Sequence, residues 1–295
     1  DCVAAVAALF LAFAAIRFAD ESRRDGRPPA VLLGFAFGVA LLAKHTLLVH
    51  LAVAVAALFI VRAWTWRRAV TVAAIAASTV WAGYVFEFRP AVPETGPHET
   101  LDRVATALGL DPKALEGPAR AIPVPAPTYF RSVLDALFSK ATARSGTPWV
   151  AYMDGAWSER GFLSYFPYAT IVKTPIALLL LVGACALSFR GTAPGRRSAH
   201  FIVCALLVVP FAAAVASRLN IGFRHLLPTP PFAFALGAAG LASLPQVRRA
   251  TVVACACALL AVESLRFVGD PIPAANFASG GPEQLHLRLA DSNLE

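Results

Sequence analysis

The 295-residue chain is 58% hydrophobic and only 15% charged, with a mean hydropathy of +0.63. That composition excludes an ordinary soluble domain and makes a bilayer the expected solvent. The net charge of +8 sits mainly on arginines in short loops between apolar runs, without a basic–aromatic groove pattern, so nucleic acid is not an expected partner.

Apolar stretches of helical length run over 2–19, 30–43, 46–61, 69–86, 165–189, 200–217, 226–244 and 250–268. The expected fold class is an all-α integral membrane protein, a multi-span transmembrane helix bundle of about eight spans. The expected organisation is four spans over 1–86, an extracytoplasmic segment with interfacial helices over 87–164, four more spans over 165–268, and the start of an extracytoplasmic C-terminal region over 269–295. The chain opens at Asp1 without a methionine or a signal peptide and closes in a polar segment at Glu295, which reads as an internal piece of a longer protein.

The first stretch is followed by Arg17, Arg23, Arg24 and Arg27. The next, from Ala30 to Val61, is either one long helix or two short ones broken at Lys44-His45. Two crossings place those arginines on the same side as Arg62, Arg67, Arg68, Arg190, Arg196, Arg197, Arg248 and Arg249, as the positive-inside rule requires. Each short helix then covers only roughly 21–24 Å of a ~30 Å hydrocarbon core. A cation at such a break is either snorkelling to the headgroups or functional, and Lys44 is weighed evenly between the two. His45 and His50 are read as packed more readily than as ligands.

Segment 87–164 is too long for a plain connector. Thr100–Leu110 and Tyr129–Ala143 are expected to form interfacial amphipathic helices. Pro118, Pro123, Pro125 and Pro127 argue against continuous helix between them. The following span is entered through Tyr165 and Tyr168, typical boundary anchors, with Lys173 deeper and just before Pro175. Lys173 is expected to meet either an anionic headgroup or a backbone carbonyl freed by that proline.

Arg218 to His225 places two arginines, a histidine and Asn220 on the face where positive charge is disfavoured, so a functional role, such as bidentate phosphate binding, is preferred there. Asp1, at the start of a span, serves equally as a helix N-cap or as an orienting carboxylate. Cys2, Cys185, Cys204, Cys255 and Cys257 all lie in apolar segments and are expected as buried small hydrophobes rather than metal ligands or disulfides. Nucleotide-binding, zinc-protease and serine-hydrolase motifs are absent, and no repeat of fixed period is visible.

Four strings in order resemble bacterial membrane glycosyltransferases of the dolichyl-phosphate-mannose protein mannosyltransferase type. LLGFAFGVALLAK is similar to their G-x-x-x-G-x-A-x-L-x-K segment, and GFLSYFPYATIVKTP to their YFP…KTP segment. NIGFRHLLP resembles their N-x-G-x-R-[HY]-L-L-P loop, and NFASGGPEQLHLRLADSNLE their FN…GGP…DSNLDWGQ tail. The resemblance implies a GT-C fold with an extracytoplasmic site in the inner (plasma) membrane. It implies transfer of a sugar from a polyprenyl-phosphate carrier to a protein, lipid or glycan acceptor, with a divalent metal as an optional helper. It assigns Asp1 to a second outer-loop aspartate, with the catalytic base upstream of it. Lys44, Arg224 and His225 match positions of the family strings. With His45, Tyr165, Lys173 and Arg218 they form the candidate set for carrier phosphate or sugar. Mannose, arabinose, glucose and galacturonose donors all fit. A polyprenyl-lipid flippase and a non-catalytic membrane scaffold are the competing readings.

Overall fold

Apolar helix-formers punctuated by Gly, Pro and charge dictate a chain of helices. The computed structural model describes residues 2–23, 29–91, 99–142, 150–183, 196–218, 220, 222–265, 276, 280 and 287–289. Asp1, Arg24, Arg27, Cys185, Arg190 and most of the tail string lie outside the described residues. In chain order the helices are α1 Cys2–Arg23, α2 Ala30–Ala43, α3 Leu47–Ile60, α4 Trp66–Gly83, α5 Glu99–Leu108, α6 Pro112–Ala121 and α7 Pro127–Thr142. They continue as α8 Tyr165–Lys173, α9 Ile176–Gly183, α10 Arg197–Ser217, α11 Pro230–Ala242 and α12 Gln246–Leu265. Two short antiparallel pairs interrupt them, β1 Phe88–Pro90 with β2 Pro123–Pro125 and β3 Ala151–Met153 with β4 Ala156–Ser158.

Among the described residues, α1 and α10 are long and apolar enough to cross a bilayer, α8 with α9 forms a bent apolar pair, and α2, α3 and α11 are shorter apolar helices. The protein is therefore an all-α chain with membrane-associating helices. The contacts divide it into two units. One comprises Asp1–Pro29, Val49–Trp64 and Val150–Glu295, the other Ala30–Leu48 and Thr65–Trp149.

In the first unit, α1 buries Ala4, Ala7, Ala8, Leu11, Ala12, Ala14, Ala15, Phe18 and Ala19, a face set by three- and four-residue spacing. Methyl-sized side chains there let α10 and α11 pack closely. Gly237 of α11 lies against the Leu181 carbonyl of α9, so a Cβ has no room. His50 is the packed histidine that its apolar flanks predict: it is buried, its Nε2 lies 3.5 Å from Thr229 Oγ1, and its ring lies against Phe232.

The run expected as one span over 165–189 is broken instead. The helix direction turns by 120° between α8 and α9, across Thr174-Pro175. Proline has no N–H, so the Ile171 carbonyl loses its helical donor. Asn276, from a hundred residues further on, replaces it. Its Nδ2 donates to the Ile171 and Thr174 carbonyls, and its backbone N–H donates to Val172 at 2.8 Å. The Ile176 N–H, displaced from Val172, donates to the buried Glu263 carboxylate at 2.8 Å. The carbonyls of Ile171, Val172 and Thr174 and the Ile176 N–H thus have partners from outside the helix pair, the kind of replacement that a break in an apolar environment calls for.

The second unit is built on α2 against α4. Gly34 faces Ile75 and the Val72 carbonyl, Gly38 faces Thr79 and Ala76, and Leu42 covers Gly83. The register climbs along both helices together, so they run parallel and their starts, Ala30 and Trp66, share one end. Thr65 caps α4 by accepting from the Arg68 N–H, and Asp111 caps α6 by accepting from the Lys113 N–H at 3.0 Å, with Pro112 at the first helical position. α5 and α7 approximate the two interfacial helices expected at 100–110 and 129–143, while α6, with Pro118 inside it, forms where the prolines argued against continuous helix. The prolines end that helix rather than forbid it: beyond Ala121 the chain extends as β2.

The cysteines are not uniformly buried. Cys2, Cys255 and Cys257 are exposed and Cys204 is half-buried. For Cys2, on an apolar helix long enough to cross a bilayer, facing lipid solvates the side chain as well as facing protein does.

Candidate functional site

Each unit carries a polar cluster. In the first, α10 ends at Arg218, whose left-handed backbone (φ 50°) caps the helix by donating to the Val215 carbonyl. Asn220 then clamps the preceding loop from both sides: its Oδ1 accepts from the Phe162 N–H at 2.5 Å and its Nδ2 donates to the Phe162 carbonyl at 3.2 Å. Gly161 (φ 67°) lies directly against the Arg218 carbonyl, where only a residue without Cβ fits. A 3₁₀ turn over Phe223–Leu226 follows. Its three-residue period drives Phe223 and Leu226 into a core of Tyr165, Phe166, Ala169, Val172 and Leu289, leaving Arg224 exposed and His225 half-buried.

Tyr165, expected at a ligand, is completely buried and packs edge-on against Phe166 at 5.3 Å, so its ring belongs to the core. Lys173 is half-buried in the last turn of α8, immediately before the break, where a cation complements the helix dipole. Arg218 is exposed at its helix end. The unit therefore gathers Arg218, Arg224 and His225 on one short connection, with Tyr165 beneath the turn. A further polar group joins the β3–β4 turn to the tail: Tyr168 donates to Asp154, Arg288 donates to the Tyr168 hydroxyl at 3.4 Å, and the Asp154 N–H donates to the Arg288 carbonyl at 2.7 Å.

In the second unit, Lys44 and His45 form the turn closing α2. The Lys44 and His45 carbonyls accept from Leu47 and Leu48, and both side chains are half-buried. His45 lies 6.4 Å from the ring of Tyr129, which packs edge-on against Tyr84 at 5.9 Å. Burial pushes the Tyr129 hydroxyl above the ordinary phenol range, with the neighbouring Tyr84 adding to it.

Beyond Tyr84 the chain makes a corner at Glu87. Val85, Phe86 and Ala126 all have positive φ (54°, 56° and 48°), an unfavourable backbone for residues with a Cβ and most so for a β-branched one. Hydrogen bonds hold them there. The Glu87 carbonyl accepts from the Trp81 indole and the Ala126 N–H, both at 2.9 Å, and the Glu87 N–H donates to Tyr84. The carboxylate accepts from the Thr128 hydroxyl at 2.9 Å and its N–H at 3.3 Å, in the first turn of α7, and is ion-paired with Arg89. Thr128 Oγ1 in turn accepts from Arg89 and Arg131. Burial raises the Glu87 carboxyl, but the two Thr128 bonds and the Arg89 charge outweigh it and leave it below the ordinary value of 4.5.

An open depression of about 540 Å³ lies over this corner, lined by Gly83, Tyr84, Val85, Glu87, Phe88, Arg89 and Thr128. Sequence reading passed over Glu87, because one acid after an apolar run carries no motif and its partner Thr128 is 41 residues away. The only signal was the arginine two positions on.

Among the described residues no three His, Cys, Asp or Glu side chains converge as a metal-binding set. Asp1 lies outside the described residues. No protein-family model, curated protein or solved structure matches the chain.

Proposed function

We propose that this chain belongs to a multi-span inner-membrane glycosyltransferase that moves a sugar from a polyprenyl-phosphate carrier to a protein, lipid or glycan acceptor on the outer face. The observation that carries this reading is convergence. Three strings that resemble the family, separated by dozens of residues, meet in one unit. Asn220 of the NIGFRHLLP string binds the backbone at Phe162, Phe223 packs on the YFP…KTP helix, and Asn276 of the tail string completes the break after it. The parallel α2–α4 pair supports two crossings over residues 30–61; the proposed arrangement of about eight spans, with segment 87–164 outside, rests otherwise on the apolar runs and the arginine clusters of the sequence.

Breaking a sugar–phosphate bond builds negative charge on the departing phosphate. Arg224, exposed on a turn fixed by its buried neighbours, offers that charge a guanidinium that needs little reorganisation, with Arg218 and His225 beside it in the chain. Lys44 is the second cation assigned to the carrier and Lys173 the third. The proton of the acceptor hydroxyl must pass to a base, a role assigned to no described residue. The deciding experiment is sugar transfer by membranes containing the protein, using radiolabelled polyprenyl-phosphate sugars. Label reaching an acceptor supports the transferase. Intact donors with lipid translocated across the membrane refute it.

A further inference from the structure

We propose that the depression over the Glu87 corner is a binding site for the ring of a carbohydrate, built from residues other than those assigned to the carrier phosphate. This rests on the transferase reading only for which sugar is presented, not for whether one binds. Three observations carry it.

The first is the chemistry of the lining. A sugar ring offers hydroxyls that both donate and accept, and an apolar C–H face. The depression supplies Glu87 as acceptor, Arg89 as donor, and the rings of Phe88 and Tyr84 as apolar surface. Among the described residues both hydrogen-bonding contacts of Arg89 use Nη2, leaving Nη1 and Nε for a ligand on a side chain that is 58% exposed. A carboxylate has about four lone-pair positions. Three are occupied here, by the Thr128 hydroxyl, the Thr128 N–H and Arg89.

The second is charge. Among the lining residues the one cation, Arg89, is ion-paired with the one anion, Glu87, while Arg131 reaches the lining only through its bond to Thr128. A neutral polyol suits a paired cation and anion.

The third is rigidity. Three residues with unfavourable backbone angles and a web of hydrogen bonds to the Glu87 backbone fix its position, while Phe88 stays 60% exposed beside it. Strain of this kind persists only where the surroundings over-determine it, and it concentrates at ligand clamps. The volume lies within the range of small-molecule sites, about 300–1,000 Å³.

The test is saturation-transfer NMR on the protein in lipid nanodiscs, with the methyl glycosides of mannose, glucose, galactose and arabinose as probes. At least one glycoside should bind, with Phe88→Ala and Arg89→Met each weakening it about tenfold. Trp81 fluorescence reports whether the corner stays folded in each variant, since the indole is bonded to the Glu87 carbonyl. Absence of binding by all four probes overturns the proposal. So does binding unchanged in both variants, or contact of Phe88 with lipid acyl protons alone, which makes the surface a membrane contact. Sugar transfer without binding at this corner sinks this proposal alone. Binding here, with donors left intact and lipid translocated across the membrane, sinks the transferase alone.

Discussion

Replacing Asn276 by Ala should destabilise the first unit by about 2–4 kcal/mol. Asn276 is 4% exposed, and its side chain supplies hydrogen bonds to two carbonyls, Ile171 and Thr174, while its backbone bond to Val172 does not depend on the side chain. A buried polar group left unsatisfied costs about 1–3 kcal/mol in water-soluble proteins. Measured hydrogen bonds within membrane bundles are weaker, averaging about 0.6 kcal/mol, because alternative partners are found. For the two carbonyls together those limits are about 1 and 6 kcal/mol, and the estimate sits between them. Denaturant titration of the protein in mixed micelles, followed by tryptophan fluorescence, measures the loss. Asn276→Asp supplies the control. Ionised, it can donate nothing and should be at least as damaging as Ala; protonated at low pH, it can donate once and should recover part of the loss. Pro175→Ala restores a backbone N–H near Ile171, so Asn276→Ala should cost less in that background. A change below about 0.5 kcal/mol for Asn276→Ala, or no coupling to Pro175, would refute the account of the break.

Three further outcomes are expected. Gly38→Leu should loosen or prevent the α2–α4 pairing at a cost of about 1–3 kcal/mol or more, since a Cβ at Gly38 already collides with Thr79; intramolecular cross-linking between α2 and α4 reports it. Glu87 has a folded-state value below its unfolded 4.5, so its contribution is fully present above about 4.5 and is lost as pH falls through the lower folded value. Trp81 fluorescence should therefore show an acid transition that Glu87→Gln flattens. Substituting Lys44 or Arg224 by Ala should weaken binding of a polyprenyl phosphate, and unchanged binding in both variants rules out the roles assigned to them.

Helix placement was legible because its causes are local. Lys44-His45 interrupts an apolar run and the helices end and restart there, at Ala43 and Leu47. Apolar clustering at 223 and 226 is likewise visible within a few residues. The elbow was not legible. Pro175 announces a break, but whether the chain bends depends on donors that reach it from Asn276 and Glu263, on other parts of the chain. The glycines at 34 and 38 entered the sequence reading only within a family-like string, whereas the structure gives them a packing role that any close helix pair imposes. Glu87 was missed for the same reason as Asn276: its meaning lies in a distant partner. Tyr165 shows the converse error of scale, because a tyrosine at the start of an apolar run looks like a boundary anchor until the turn at Phe223 is seen to cover it.

The clamp at the α8–α9 elbow also sets a timetable for biosynthesis. Asn276 leaves the ribosome 105 residues after Ile171, which at about 5–20 residues per second is roughly 5–20 s of synthesis. During that interval the Ile171 carbonyl, which Pro175 cannot serve in any helix, must be met by water or by the insertion machinery. A chain stopped before Asn276 should therefore hold the segment from Tyr165 to Gly183 in a different shape from the finished one.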